Sequence, residues 1–175
     1  MILLMANPAF ATGNSVDLEI GGFSLDASSG DTSGKLAAFG TYRIGYRRSI
    51  NSHFDIGLGY TILFTKVISG DSGFGLDLNG TYYFLGASHR LESRGEHGYL
   101  SYAEDLRPFV SLSFAQRNYQ SIQTSYAGFG VGVGVDKNLL ERLSLRVSMR
   151  AYSLSAGGTA KASEISAYGG IVIEF

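Results

Sequence analysis

Seven charged side chains recur among alternating apolar residues: Asp17, Glu19, Arg43, Arg47, Asp55, Arg146 and Glu174. Ions of both signs confined together would pair, because an isolated buried charge costs several kcal/mol. Arg47 is expected across from Asp55, Glu19 near Arg43, and Glu174 diagonal to Arg146. Such a cluster has two uses. Fully paired, it is a plug. With exchange of partners, it is a gate that opens a narrow water path.

The histidines offer less. His53, His89 and His97 fall in turns or in a charged irregular segment, none inside a strand. Ser88–His89 and Glu96–His97 are local pairs that lack the third partner of an activated nucleophile. His89, Glu92, Glu96 and His97 match no spacing of metal ligands. The glycine-rich run 128–134 has no strand-to-helix context and is not a phosphate loop. The expectation is no enzyme, no cofactor and no metal.

The elements that would position the seven charges are strands. From Phe54 to Phe64, every second residue is apolar or aromatic, and the others are Asp55, Gly57, Gly59, Thr61 and Leu63. That period of two is a strand with one apolar face and one mixed face. It recurs over 15–25, 36–49, 54–65, 74–84, 108–116, 126–135, 143–152 and 164–175. Gly21-Gly22 is expected to hold a bulge, because Phe23 and Leu25 leave the phase of Val16, Leu18 and Ile20. Stretches 26–34, 120–125 and 155–163 read as loops, and Asp136-Lys137-Asn138 reads as a tight turn. Segment 86–107 is charged and breaks the pattern.

The chain has 175 residues and a net charge of −1, so nothing argues for nucleic acid. It has no cysteine, 24 glycines and 22 Tyr and Phe side chains (11 of each), a β composition. No apolar run reaches the ~18 residues of a transmembrane helix. Eight strands of about 9–12 residues have the length to cross a bilayer when tilted, and an even number closes an antiparallel meander. A soluble sandwich would need a second core, and the polar faces are too hydrophilic for one. Aromatics at the strand ends, Tyr46, Phe54, Phe84 and Phe175 at one rim and Phe64, Phe74 and Phe114 at the other, suit two membrane interfaces. The expected fold is all-β, an eight-stranded antiparallel up-and-down transmembrane β-barrel with a polar interior over residues 12–175. Residues 1–11, ending in Ala9-Phe10-Ala11, read as a residual signal peptide.

Three stretches carry a family resemblance: the glycine-rich strand Tyr126 to Val135, the segment Asp136 to Tyr152, and the aromatic end at Phe175, with Leu106 to Val110 also similar. The chain resembles the small eight-stranded outer-membrane β-barrels, the superfamily of the outer membrane protein A transmembrane domain. The resemblance implies location in the bacterial outer membrane and both termini in the periplasm. It implies a C-terminal assembly signal at Ile171, Ile173 and Phe175. Expected partners are outer-membrane lipid and the barrel-assembly machinery, with a monomeric barrel of structural or surface role, or alternatively a narrow channel. Segment 86–107 departs from the pattern, because it would occupy a periplasmic turn and those are short.

Overall fold

Alternation can bury only one face of each strand, and a closed sheet satisfies every strand edge without a second layer. A computed structural model describes residues 13–29, 32–64, 72–84, 91–95, 98–102, 105–119, 124–140, 142–157 and 160–175. Ten strands run in chain order: β1 (Asn14–Ser29), β2 (Thr32–Ser49), β3 (Phe54–Phe64), β4 (Ser72–Tyr83), β5 (Leu91–Gly95), β6 (Gly98–Tyr102), β7 (Leu106–Tyr119), β8 (Thr124–Leu140), β9 (Leu143–Ala156) and β10 (Ala160–Glu174). Eight of them close an antiparallel barrel in the order β1-β10-β9-β8-β7-β4-β3-β2. At the seam the first residue of β1 bonds the residue after β10: Asn14 N–H donates to Phe175 C=O at 3.2 Å, and Phe175 N–H donates to Asn14 C=O at 2.9 Å. No described helix is long and apolar enough to cross a membrane, which says nothing about strands.

The remaining two strands, β5 and β6, form a hairpin within the segment that broke the alternation. This segment joins β4 to β7 at the end of the barrel where β1 begins and β10 ends. Elsewhere the strands are longer than the sequence suggested. Stretches 26–29 and 32–34 continue β1 and β2 rather than forming a loop, and Ser155 and 160–163 continue β9 and β10. Asp136-Lys137-Asn138 is not a turn, because β8 carries on to Leu140. Ladder hydrogen bonds outweigh the local turn preference of Asp and Asn there. Residues 1–11, 86–90 and 96–97 lie outside the described set, and with them the signal peptide, His89 and His97.

The bulge is real but sits on the other strand. β1 keeps one phase throughout, so Asp17, Glu19, Phe23 and Leu25 are all buried. The register of β1 against β2 slips between Gly21 and Gly22, which pair with Thr41 and Phe39, so Gly40 is the extra residue. Gly40 has φ 126°, a left-handed backbone conformation that glycine adopts without a Cβ penalty. Phe23 and Leu25 therefore change environment, not phase.

Two zones result. Outside, residues such as Leu58, Leu76, Leu112, Val131 and Ile165 are exposed in a continuous apolar belt. On β7 the outward apolar run ends at Phe114, beyond which Gln116 faces out. Beyond the belt, at the end away from the termini, the polarity reverses. Ser24, Asp26, Ser153 and Ser163 face out. Phe23, Leu25, Leu63, Ala115, Tyr119, Tyr126, Tyr152, Leu154 and Ala162 form one apolar cluster inside.

Candidate functional site: an ionic column under an apolar cap

The inward positions below this cap are charged. Among the described residues, six buried arginines, Arg43, Arg47, Arg107, Arg117, Arg146 and Arg150, accompany six buried carboxylates, Asp17, Glu19, Asp55, Asp77, Asp136 and Glu164. The signs balance, which is the condition for holding so many ions in a narrow interior.

The pairs form a column along the barrel. At the terminal rim, Arg107 Nη2 donates to Glu174 Oε1 and to Ser144 Oγ, both at 2.9 Å. Above it, Tyr83 is a hub. Its hydroxyl accepts from Arg47 Nη1 at 2.5 Å and from Arg146 Nη2 at 2.9 Å, and donates to Asp136 Oδ2 at 3.0 Å. Arg146 grips Asp136 with Nε and Nη2, each 2.6 Å away. Arg47 reaches Asp17 at 3.1 Å and Asp55 at 3.3 Å. Arg43 Nη1 bonds the Asp17 carboxylate and lies 2.8 Å from Glu19. Glu19 is shared with Arg150 at 2.9 Å. Asp77 links Arg43, at 3.7 Å, to Arg117, at 2.8 Å. Glu164 accepts from Arg117 Nε at 3.1 Å and from the Tyr119 hydroxyl at 2.7 Å. The ring of Tyr119 then enters the apolar cap, 6.5 Å from Phe23 and 6.1 Å from Tyr126 between centroids.

Glycines make the column possible. Register places Gly45 opposite Asp17, Gly57 opposite Arg47, Gly75 opposite Arg117, Gly130 opposite Tyr152 and Gly132 opposite Arg150. A Cβ on Gly45 would land on the Asp17 carboxylate, and one on Gly75 would lie 2.5 Å from Arg117 Nη1. In both cases the side chain met is held in ion pairs and cannot swing aside freely. Gly45→Val is accordingly expected to lower the folded yield in detergent or vesicles severalfold, whereas outward Gly169→Val, which meets open space, leaves it unchanged. Equal yields for the two variants would show that the interior tolerates added volume.

All seven expected residues point inward, but their partners need correction. Asp55 is not directly across from Arg47. Register puts Ser49 opposite Asp55, and the long Arg47 side chain reaches over Gly57 to it. Glu174 does not serve Arg146. Barrel curvature brings Arg107 to Glu174, while Asp136, directly across on β8, takes Arg146. Six further ions escaped the sequence reading as cluster members. Arg107 and Arg117 fall just outside the predicted strand 108–116, and Asp136 falls in the predicted turn 136–138. Asp77, Arg150 and Glu164 lie further along the axis, toward the cap. Extending the period of two past the apolar positions finds Arg107, Arg117 and Asp136, while Asp77, Arg150 and Glu164 already fall on the polar faces of the predicted strands.

The histidines do not join. Exposed His53 sits in the β2–β3 turn, with Nδ1 2.8 Å from Ser52 Oγ and its ring 6.2 Å from Tyr82. No group of three His, Cys, Asp or Glu side chains is placed to hold a metal among the described residues.

The sequence matches no protein-family model and no curated protein. Solved structures do match. The N-terminal β-barrel domain of Pseudomonas aeruginosa OprF aligns with a TM-score of 0.59 at 18% identity, over 94% of this chain and 99% of that one. Neisserial surface protein A aligns with a TM-score of 0.58 at 17% identity, over 93% and 97%. This chain has the fold of the small eight-stranded outer-membrane barrels. The outer-membrane protease OmpT of Escherichia coli also aligns, with a TM-score of 0.51 at 8% identity over 95% of this chain and 98% of that one. A protease shares the barrel architecture, so fold alone assigns no activity.

Proposed function

We propose that this protein is a non-enzymatic barrel of the bacterial outer membrane, with a structural or surface role and an interior plugged by its own side chains. The observation that carries this reading is the unbroken column from Glu174 to Tyr119, continued by the apolar cap. An eight-stranded barrel is only just wide enough to be filled by side chains. Here arginine, carboxylate and tyrosine fill the lower part and aliphatic and aromatic groups the upper part. The apolar belt is the surface that lipid tails would cover.

In this reading both termini and the β5–β6 hairpin lie on the periplasmic side. Ile171, Ile173 and Phe175 act as the signal read by the barrel-assembly machinery. Lipid is the main partner of a monomeric barrel, and nucleic acid is not one.

One observation favours a channel as the second reading. Asp17 lies within 4.0 Å of three arginines, Arg43, Arg47 and Arg146, so alternative partners stand ready for an exchange. The test is conductance of the refolded protein in a planar bilayer. A plugged barrel inserts and stays silent. Discrete openings of the unmodified protein would replace the plug by the gated channel, and failure to insert would overturn the membrane reading altogether.

A further inference from the structure

Beyond the apolar belt, at the end of the barrel that holds the cap, the outer wall is rich in hydroxyls. β1, β10 and β9 are neighbours in the barrel, and they expose Ser24, Ser28, Ser163, Ser153 and Ser155 there. These serines sit on a rigid ladder: Ser28 pairs with Ser33 of β2, and Ser163 with Ser153. Two exposed lysines flank β1. Lys35 of β2 lies opposite Asp26, and Lys161 of β10 lies opposite Ser28. Strand spacing and rise put their Cα atoms about 12 Å apart. The Lys35 ammonium is 3.5 Å from Asp26, yet 86% of its side chain is exposed, so it still has N–H donors to offer. Two lysines against Asp26 leave this patch net positive.

The wall continues the lipid-facing belt without a break, since Ser24 pairs with Ile165 and Ser153 with Phe129. Its height separates two kinds of lipid. Ser24 to Ser28 spans about 13 Å along β1, which is about 10 Å along the axis for a strand tilted by about 40°. The headgroup layer of a phospholipid is about 5–8 Å deep and would leave the upper row uncovered. The side chains fit a larger headgroup. Serines are short and keep the sheet flat, and each hydroxyl both donates and accepts. A sugar ring laid against the sheet meets them with hydroxyls of its own. A lysine ammonium is a point charge suited to phosphate.

We propose that this wall docks a phosphorylated glycolipid of the outer leaflet. Its acyl chains lie on the belt, its sugars against the serines and its phosphates on Lys35 and Lys161. The site rests on the membrane reading and names the lipid class that covers one end of the barrel.

The test refolds the whole chain into three kinds of vesicle: phosphatidylcholine alone, phosphatidylcholine with lipid A, and phosphatidylcholine with phosphatidylglycerol at the same anionic charge. The urea midpoint of unfolding is read in each. With lipid A it is expected to lie about 0.5–1 M above its value with phosphatidylglycerol. Lys35→Gln with Lys161→Gln should remove that difference, while in plain phosphatidylcholine the double variant unfolds like the wild type because both side chains are exposed. Equal midpoints with lipid A and phosphatidylglycerol would reduce the effect to bulk surface charge and overturn the site. A difference that survives in the double variant would place the glycolipid elsewhere and overturn it too. Folding into phosphatidylcholine separates these results from a failure of the membrane reading: a chain that enters none of the vesicles would overturn that reading and the site with it.

Discussion

Arg43→Met is expected to destabilise the folded barrel by about 3–5 kcal/mol, which lowers its unfolding midpoint by about 6–20 °C. Arg43 is fully enclosed and touches Asp17, Glu19 and, at 3.7 Å, Asp77. Removing it strands carboxylates that cannot reach water. Asp17 keeps Arg47 at 3.1 Å and Glu19 keeps Arg150 at 2.9 Å, so the loss is a share of each pair. The comparison is Lys35→Ala. Lys35 lies 3.5 Å from Asp26, but both side chains are largely exposed, 86% and 56%. Water and salt screen that pair, and its loss should not be measurable. Urea titration of the two variants in the same detergent checks the contrast. Equal midpoints would mean that the column contributes no more than a surface pair.

Breaking the ionic column alone is expected to leave the barrel silent in a bilayer. Arg47→Ala with Asp55→Ala opens space near the terminal end, yet the cap of Phe23, Leu25, Leu63, Tyr126 and Leu154 still closes the other end. An ion crossing that cap would shed its hydration shell among apolar groups, a cost of many kcal/mol. The complementary variant, Leu25→Ala with Leu154→Ala, should also be silent, because the column remains. Each of these leucine truncations costs about 2–5 kcal/mol of stability, so folding is verified first by protease resistance. Openings should appear only when all four changes are combined. A leaky Arg47→Ala, Asp55→Ala variant would show that the ion pairs alone hold the barrel shut. A silent fourfold variant that inserts would show that neighbouring side chains refill the space.

Strand after strand, the period of two was written in the residue types. Phe54 to Phe64 can bury its Asp, Gly and Thr face together only by forming a strand, and eight such strands without a second apolar core imply closure. The sequence therefore settled the class of fold and the inward direction of Asp17, Glu19, Arg43, Arg47, Asp55, Arg146 and Glu174. It could not settle who pairs with whom. That depends on shear and curvature, which bring Arg107 to Glu174 and Arg117 to both Asp77 and Glu164, side chains far apart in the chain. The placement of the bulge at Gly40 likewise needed the register of two strands at once. Nor could alternation reveal the polarity reversal at the cap. Phe23 and Leu25 looked like a slip of phase, because a local pattern marks which side chains share a face but not what that face meets. Only the closed barrel, by ending its charged column at Tyr119, decides that the same inward face is ionic below and apolar above.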